Sequence, residues 1–392
     1  MTGPSTRWSR EERAGLGVPA DLPLPAAGAF VRMEGLRAET ALLLGRLCTE
    51  SGGSVRAFRE RGGTTLVAGI SGEGWEPFLR RLGPASQLDE ISRELRAALR
   101  HCRLPARTLR WGGRRLRLGR RTLIQGILNV TPDSFHDGGR WIEPGRAVDR
   151  AFRMVEEGAD IVDIGGASTR PGSRSIPARE EARRILPVLK ALAGRLTVPI
   201  SVDTTQAAVA AAALDAGAEI VNDVSGLTFD PRMASVVARH DAGLVLSHIQ
   251  GKPRSMQRSP RYRHLVPEVV AFLRRGIRRA AEAGVHPESI LVDPGIGFGK
   301  TADHNFLLLK HLRALRSAGR PILVGASRKS FLAKALGREA GTEERLEGSL
   351  AVAALAVHNG ASALRVHDVA GTVRAARVAE AVRDAALRAG KG

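Results

Sequence analysis

The stretch Pro199-Ile-Ser-Val-Asp-Thr-Thr-Gln-Ala-Ala-Val-Ala-Ala-Ala-Ala-Leu-Asp-Ala-Gly-Ala-Glu-Ile-Val-Asn-Asp223 decides the fold. A short apolar run over 199–203 ends in a carboxylate, an Ala-rich helical stretch over 206–216 ends at Gly217, and a second apolar run over 219–223 ends in Asn-Asp. Short apolar strands alternating with helices mark parallel β/α units, because a parallel strand is covered on both faces. Outward from this unit the pattern repeats. Further strands are predicted over 122–129, 160–164, 243–248, 290–293, 321–325 and 363–366, with helical stretches such as 145–157, 180–193 and 262–283 between them. Eight units in roughly 270 residues predict an α/β fold of the closed (β/α)8 TIM barrel type, which takes about 250. An open doubly wound sheet fits less well, since nothing marks a reversal of strand order.

The residues before 122 read differently. Pro4, Pro19, Pro23 and Pro25 predict a flexible tail over 1–28. Residues 29–105 predict a small α/β N-terminal domain of unknown role, with helical spacing at Leu36, Leu43, Leu44 and Leu47, a strand over 64–70 and helices over 75–82 and 87–100. Residues 106–121 read as a basic linker, in which Arg107, Arg110, Arg114, Arg115, Arg117, Arg120 and Arg121 surround Trp111 without a clear apolar period. The barrel then occupies 122–392.

The 392-residue chain is 43 % apolar and 26 % charged, ordinary for a globular protein with a sizeable core. Its net charge of +20 raises a nucleic-acid partner. The excess is almost wholly arginine, however, spread along helical faces with Glu interspersed, so a solvated surface is expected and nucleic acid is not. No run of about 18 apolar residues is present to span a bilayer, and the N-terminus has no signal-like apolar region. The expectation is therefore a cytoplasmic protein with no membrane partner. Cys48 and Cys102 both precede the barrel, which excludes a disulfide framework or a cysteine nucleophile there.

In a (β/α)8 barrel the working groups project from the C-terminal ends of the strands. Read to their ends, the eight strands give Asn129, Asp163 with the Thr169-Arg170 loop, Asp203, Asn222-Asp223, His248, Asp293, Arg328-Lys329, and Arg365 with His367. Each alone has an ordinary explanation as a helix cap or turn residue. Together they mix carboxylate acceptors with Lys, Arg and His donors on one rim, a combination suited to a nitrogen-rich ring beside a phosphate. The segment Pro294-Gly-Ile-Gly-Phe-Gly-Lys-Thr301 imitates a nucleotide P-loop but is one residue short, since the first Gly would fall at Pro294. Its glycines are expected to carry positive φ or let backbone approach a ligand.

These runs resemble dihydropteroate synthase over essentially all of 121–388. The motifs are Gly126-Ile-Leu-Asn-Val-Thr-Pro-Asp-Ser-Phe135, Asp163-Ile-Gly-Gly-Ala-Ser-Thr-Arg-Pro-Gly172, Ile200-Ser-Val-Asp-Thr204, Asp293-Pro-Gly-Ile-Gly-Phe-Gly-Lys300, Gly325-Ala-Ser-Arg-Lys-Ser330 and Arg365-Val-His-Asp368. The resemblance implies a transferase of folate biosynthesis that condenses 4-aminobenzoate with the diphosphate ester of 6-hydroxymethyl-7,8-dihydropterin. It further implies Asp203, Asn222, Asp293 and Lys329 around the pterin, and Asn129, Thr169, Arg365 and His367 around the pyrophosphate. Ser330, Phe298 and Pro171 would meet aminobenzoate, with Lys329, Asp293, Arg365 and His367 central to catalysis. Mg2+ held by Asn129, a homodimer and a sulfonamide target are implied as well. Ala167 stands where the family usually has Glu, His136 where it has Ser, and Ser247 and Ile249 depart from a Met-rich version. Two other functions compete: a pterin-binding paralogue without turnover, and a methyltetrahydrofolate methyltransferase. The second is disfavoured by the anion-holding Arg365 and His367. The loops 131–140 and 167–175 are expected to order over substrate, with Gly138, Gly139 and Gly172 as hinges.

Overall fold

The computed structural model describes residues 28–60, 63–71, 73–82, 88–103, 108–119, 121–131, 144–337 and 345–385. The expected tail up to residue 27, and the first loop beyond Thr131 with His136, Gly138 and Gly139, lie outside these residues. The chain divides into two compact units, one of residues up to 104 together with 262–270, the other of 105–261 and 271–392.

In the first unit the order is β1 (Gly28–Leu36), α1 (Ala38–Glu50), β2 (Ser54–Glu60), β3 (Gly63–Ser71), α2 (Trp75–Arg81) and α3 (Asp89–Arg103). The three strands form an antiparallel sheet with β3 in the middle. Period-two alternation along β3 sends Leu66, Ala68 and Ile70 into a core with Leu44, Cys48, Trp75, Phe78 and Leu79. The strands β1 and β2 were not expected from sequence. Arg56 and Arg59 interrupt the apolar content of β2, and its burial alternates only weakly.

The second unit opens with a hairpin of β4 (Thr108–Trp111) and β5 (Arg114–Arg117). This corrects the expectation of an irregular basic linker. Gly112 and Gly113 have φ of 49° and 77°, the paired positive values of a tight two-residue hairpin turn. Leu109 and Trp111 are buried while Arg110 between them is half-buried and Arg114, Arg115 and Arg117 are exposed, so the arginines hide the two-residue period of the first strand. Both apolar side chains pack with Leu123, Ile161, Ile220, Val245, Leu291, Leu323 and Ala363. Trp111 Nε1 donates to Glu219 at 3.2 Å.

Those partners lie at or near the starts of the barrel strands: β6 (Leu123–Asn129), β7 (Ile161–Gly165), β8 (Ile200–Asp203), β9 (Ile220–Asp223), β10 (Gly243–Ser247), β11 (Ile290–Asp293), β12 (Leu323–Val324) and β13 (Ala363–Val366). The hairpin therefore closes the floor of the barrel. All eight expected strands are present and parallel, in the order β11-β10-β9-β8-β7-β6-β13-β12. A parallel bridge between Val292 and Ile322 joins the two ends of that order, so the sheet closes. The helices between strands are α4 (Pro144–Glu156), α5 (Ala178–Leu192), α6 (Ala207–Asp215), α7 (Met233–Arg239), α8 (Leu265–Glu282), α9 (Ala302–Lys310), α10 (Phe331–Leu336), α11 (Leu346–His358) and α12 (Val369–Asp384). Strand register then sets the site: Asn129 pairs with Gly165, Gly165 with Asp203, Asp203 with Asn222, and Ser247 with Asp293.

Candidate active site

At that level the middle of the site is an ion triad. Arg365, near the end of β13, donates from Nε to Asp163 Oδ2 at 2.6 Å and from Nη2 to Asp203 Oδ2 at 2.6 Å. Asp163 is fully buried and Asp203 nearly so. Each keeps its second oxygen unbonded and buried, as does Asn222 Oδ1. Buried polar atoms in folded proteins are nearly always paired, so three adjacent unpaired acceptors mark a place built for donors. Asp163, expected on the rim as a strand-end residue, is the member of the triad for which the resemblance implies no ligand role. Its signal is an inward-facing carboxylate inside the apolar strand Ile161-Val-Asp-Ile-Gly165.

Burial, only partly offset by Arg365, pushes the Asp203 carboxyl up to about 7. The same desolvation raises Asp293, against the pull of Lys329. Arg365 is raised despite burial, because Asp163 and Asp203 favour its charge. Lys329, in the turn after β12, is lowered to about 8 by burial, with Asp293 opposing. Its Nζ donates to the Ile296 carbonyl and sits 4.2 Å from the Phe298 ring centroid, a cation–π distance. Phe298 itself packs with Val224, Ile249 and Met256, giving the charged site one apolar wall.

The loop that resembles a P-loop has a different use. Gly295, Gly297 and Gly299 have φ of 65°, 83° and 62°, as a glycine-dependent loop requires. A Cβ on Gly295 would lie 1.8 Å from the His248 carbonyl. Lys300 turns inward, its Nζ 2.8 Å from His248 Nδ1, 3.0 Å from the Gly295 carbonyl and 3.1 Å from that of Phe298. It pins the loop from beneath. His248 packs edge-on against Phe272 and is kept well below its ordinary pKa by burial and by Lys300. Asp223 likewise serves the backbone, accepting from Ser225 and Leu227 at 2.8 Å each.

Asn129 ends β6, half-buried, and a Cβ added at Gly165 would meet both Asn129 Oδ1 and Asp203. His367 follows β13, its Nδ1 3.1 Å from Ser327 Oγ. Burial, then Arg365 and Arg328, bring its pKa down to about 4. Arg328 adopts φ 55° and holds Asp368 with two bonds of 2.8 and 2.5 Å. Ser330 is exposed at the N-cap of α10, with no capping bond from its side chain. Thr169 and Pro171 ride on the loop after β7, which is held at three points. Arg184 donates to the Gly166 carbonyl at 3.0 Å, Gln206 to that of Ile176 at 3.3 Å, and Gly172 N to Pro253 at 3.0 Å. Gln206 also bonds Glu181 at 2.5 Å, a buried carboxyl raised by desolvation.

A closed barrel with buried acceptors, a cationic flank and an apolar wall at its strand ends defines a (β/α)8-barrel enzyme for a donor-rich heterocycle and an anion. Residues 125–367 match the family described as pterin binding enzyme. Dihydropteroate synthase of Synechocystis is 47 % identical over 243 residues, 62 % of this chain and 84 % of that protein. The Mycobacterium leprae dihydropteroate synthase is 47 % identical over 244 residues, covering 61 % and 85 %. Among solved structures, Yersinia pestis dihydropteroate synthase in a sulfonamide drug complex aligns with TM-score 0.67 and 42 % identity, over 71 % of this chain and all of that one. The Xanthomonas albilineans enzyme with 4-aminobenzoic acid aligns with TM-score 0.66 and 43 % identity, over 72 % of this chain and all of that one. The chain belongs to the pterin-binding enzyme family, as one of its dihydropteroate synthases, transferases of folate biosynthesis.

Proposed function

We propose that the triad level holds the pterin and that the β13 side of the rim holds its diphosphate. The unpaired oxygens of Asp203 and Asn222, with Asp293, accept from ring N–H and amino groups, and Lys329 donates to the ring carbonyl. The three neighbouring orphaned acceptors carry this reading. Asn129, Thr169, Arg365 and His367 surround the diphosphate, while Phe298, Pro171 and Ser330 receive 4-aminobenzoate. In the reaction the arylamine nitrogen bonds to the pterin methylene carbon as the bond from that carbon to the diphosphate oxygen breaks. The amine loses one proton to solvent. The amine is already neutral at pH 7, so a strong base is unnecessary, and positioning plus stabilisation of the leaving anion dominate. Lys329, close to Asp293 and over Phe298, stands between the pterin and aminobenzoate places and orients both.

Mg2+ fits the residues present. Asn129 offers a neutral oxygen beside Asp203, and magnesium prefers few protein oxygens supplemented by water and phosphate. Bound there, Mg2+ would neutralise charge on the departing diphosphate. A homodimer is supported by Leu355 on α11 and by Val378 and Val382, one turn apart on α12, all largely exposed. Sedimentation of a Val378→Glu, Val382→Glu chain is expected to give a monomer from a dimeric parent. No described helix is long and apolar enough to cross a membrane. The low cysteine content, with Cys48 and Cys102 in 392 residues, supports the cytoplasm as its compartment. The condensation assay with Asp203→Asn and Lys329→Ala tests the assignment, with sulfonamide competition against aminobenzoate beside it. Full turnover in either variant overturns it.

A further inference from the structure

We propose that Ser327 fixes the tautomer of His367, so that this histidine meets an anion as a neutral Nε2–H donor. The inference rests on the reading of His367 as a diphosphate contact, and extends it to a positioning residue behind the rim. Ser327 is buried in the turn after β12. Its Oγ lies 3.2 Å from the backbone N of His367 and 3.1 Å from Nδ1 of the same residue. A backbone N–H can only donate, so the serine oxygen accepts that bond. The hydroxyl proton then needs an acceptor of its own. Among the described residues, His367 Nδ1 is the acceptor within reach. An imidazole that accepts at Nδ1 carries its proton at Nε2. The opposite tautomer would aim two N–H groups at one oxygen and leave the buried hydroxyl proton without a partner.

The surroundings act in the same direction. Arg365, Arg328 and Arg170 all disfavour a positive ring, and Asp368, the opposing charge, is already engaged by Arg328. Burial and these cations hold the imidazole neutral. The labour at the diphosphate is thereby divided. Arg365 supplies charge, and His367 supplies a directed donor whose state does not change through neutral pH. The link also ties the end of β13 to the turn that carries Lys329, two residues beyond Ser327.

The test is imidazole 15N–1H correlation spectroscopy on the full-length chain, with the His367 signals identified by their loss in His367→Gln. The wild-type protein is expected to show the Nε2–H tautomer. Ser327→Ala should move His367 to a mixture or to Nδ1–H, with Ser327→Cys, whose thiol donates weakly, in between. In the condensation assay, kcat/KM for the pterin diphosphate should fall about tenfold in Ser327→Ala, the scale of one hydrogen bond, while KM for aminobenzoate holds. A wild-type Nδ1–H tautomer, or an unchanged tautomer in both variants, overturns the proposal. If the tautomer shifts as expected and kcat/KM for the diphosphate substrate does not, Ser327 stands as the orienting residue and the placement of the diphosphate at His367 falls instead.

Discussion

Arg365 joins two buried carboxylates that would otherwise repel one another, so its removal should be felt in stability before catalysis is considered. Breaking a buried pair by deleting one partner costs about 3–5 kcal/mol, and Arg365→Ala is expected to lower the denaturant midpoint accordingly. Arg365→Lys keeps the charge but cannot span Asp163 and Asp203 with a planar fork, so near-wild-type stability should accompany a loss of about 10²-fold in kcat/KM. Asp203 gives a pH signature. Its folded carboxyl is raised from 3.8 to about 7 by burial, so the protonated form is favoured by folding. The stabilisation it contributes is full below about pH 4 and is lost as pH rises through 7. Urea unfolding of wild type and Asp203→Asn, followed from pH 4 to 8, should therefore show wild type losing ground to the variant as pH rises; a constant difference would refute this. Such residues were legible to the extent that they end strands. Asp203, Asn222, Asp293 and Arg365 declared themselves by position, whereas Lys300 was hidden inside a false nucleotide motif, and its inward turn is set by carbonyls that only the folded loop assembles.

Among the elements, the barrel strands were the most legible, because burial on both faces leaves uninterrupted apolar runs such as Ile161–Gly165 and Gly243–Ser247. The seventh shrinks to Leu323–Val324 within the expected 321–325. Of the elements that escaped notice, β2 and the β4–β5 pair carry exposed arginines, and long charged side chains mask alternation in a sequence window. The loop after β7 shows how neighbouring elements hold a long connection. Arg184 from α5 and Gln206 before α6 hold its two ends, and Gln206 is itself steadied by the buried Glu181. Gln206→Ala should free the C-terminal end of this loop. Limited trypsin digestion is expected to cut after Arg170 or Arg174 several-fold faster in the variant, and equal rates would count against the anchoring role. Ala167, at the start of the same loop, is half-buried and makes no side-chain bond, so the departure from the family's Glu removes a charge there without disturbing these anchors.

At the scale of the molecule, function lies in the barrel unit, while the first unit has its own sheet and core. Composition located the boundary only loosely, because the Arg-rich segment before residue 122 belongs to the barrel structurally, through Leu109 and Trp111. Trp111→Ala in the full chain should destabilise it by about 3–5 kcal/mol, read from chemical denaturation, with substrate KM values unchanged because the floor lies at the opposite strand ends from the site. The floor also has a history in time. The hairpin is synthesised before any barrel strand, yet the side chains that cover it come from β6 through β13, the last of which lies far along the chain from it. A nascent chain thus carries an uncovered tryptophan and leucine, flanked by arginines, until the eighth strand arrives. Completion of the barrel and burial of its first-made piece are therefore one late, long-range event, and the rate of that event sets how long the unfinished protein stays open to wrong partners.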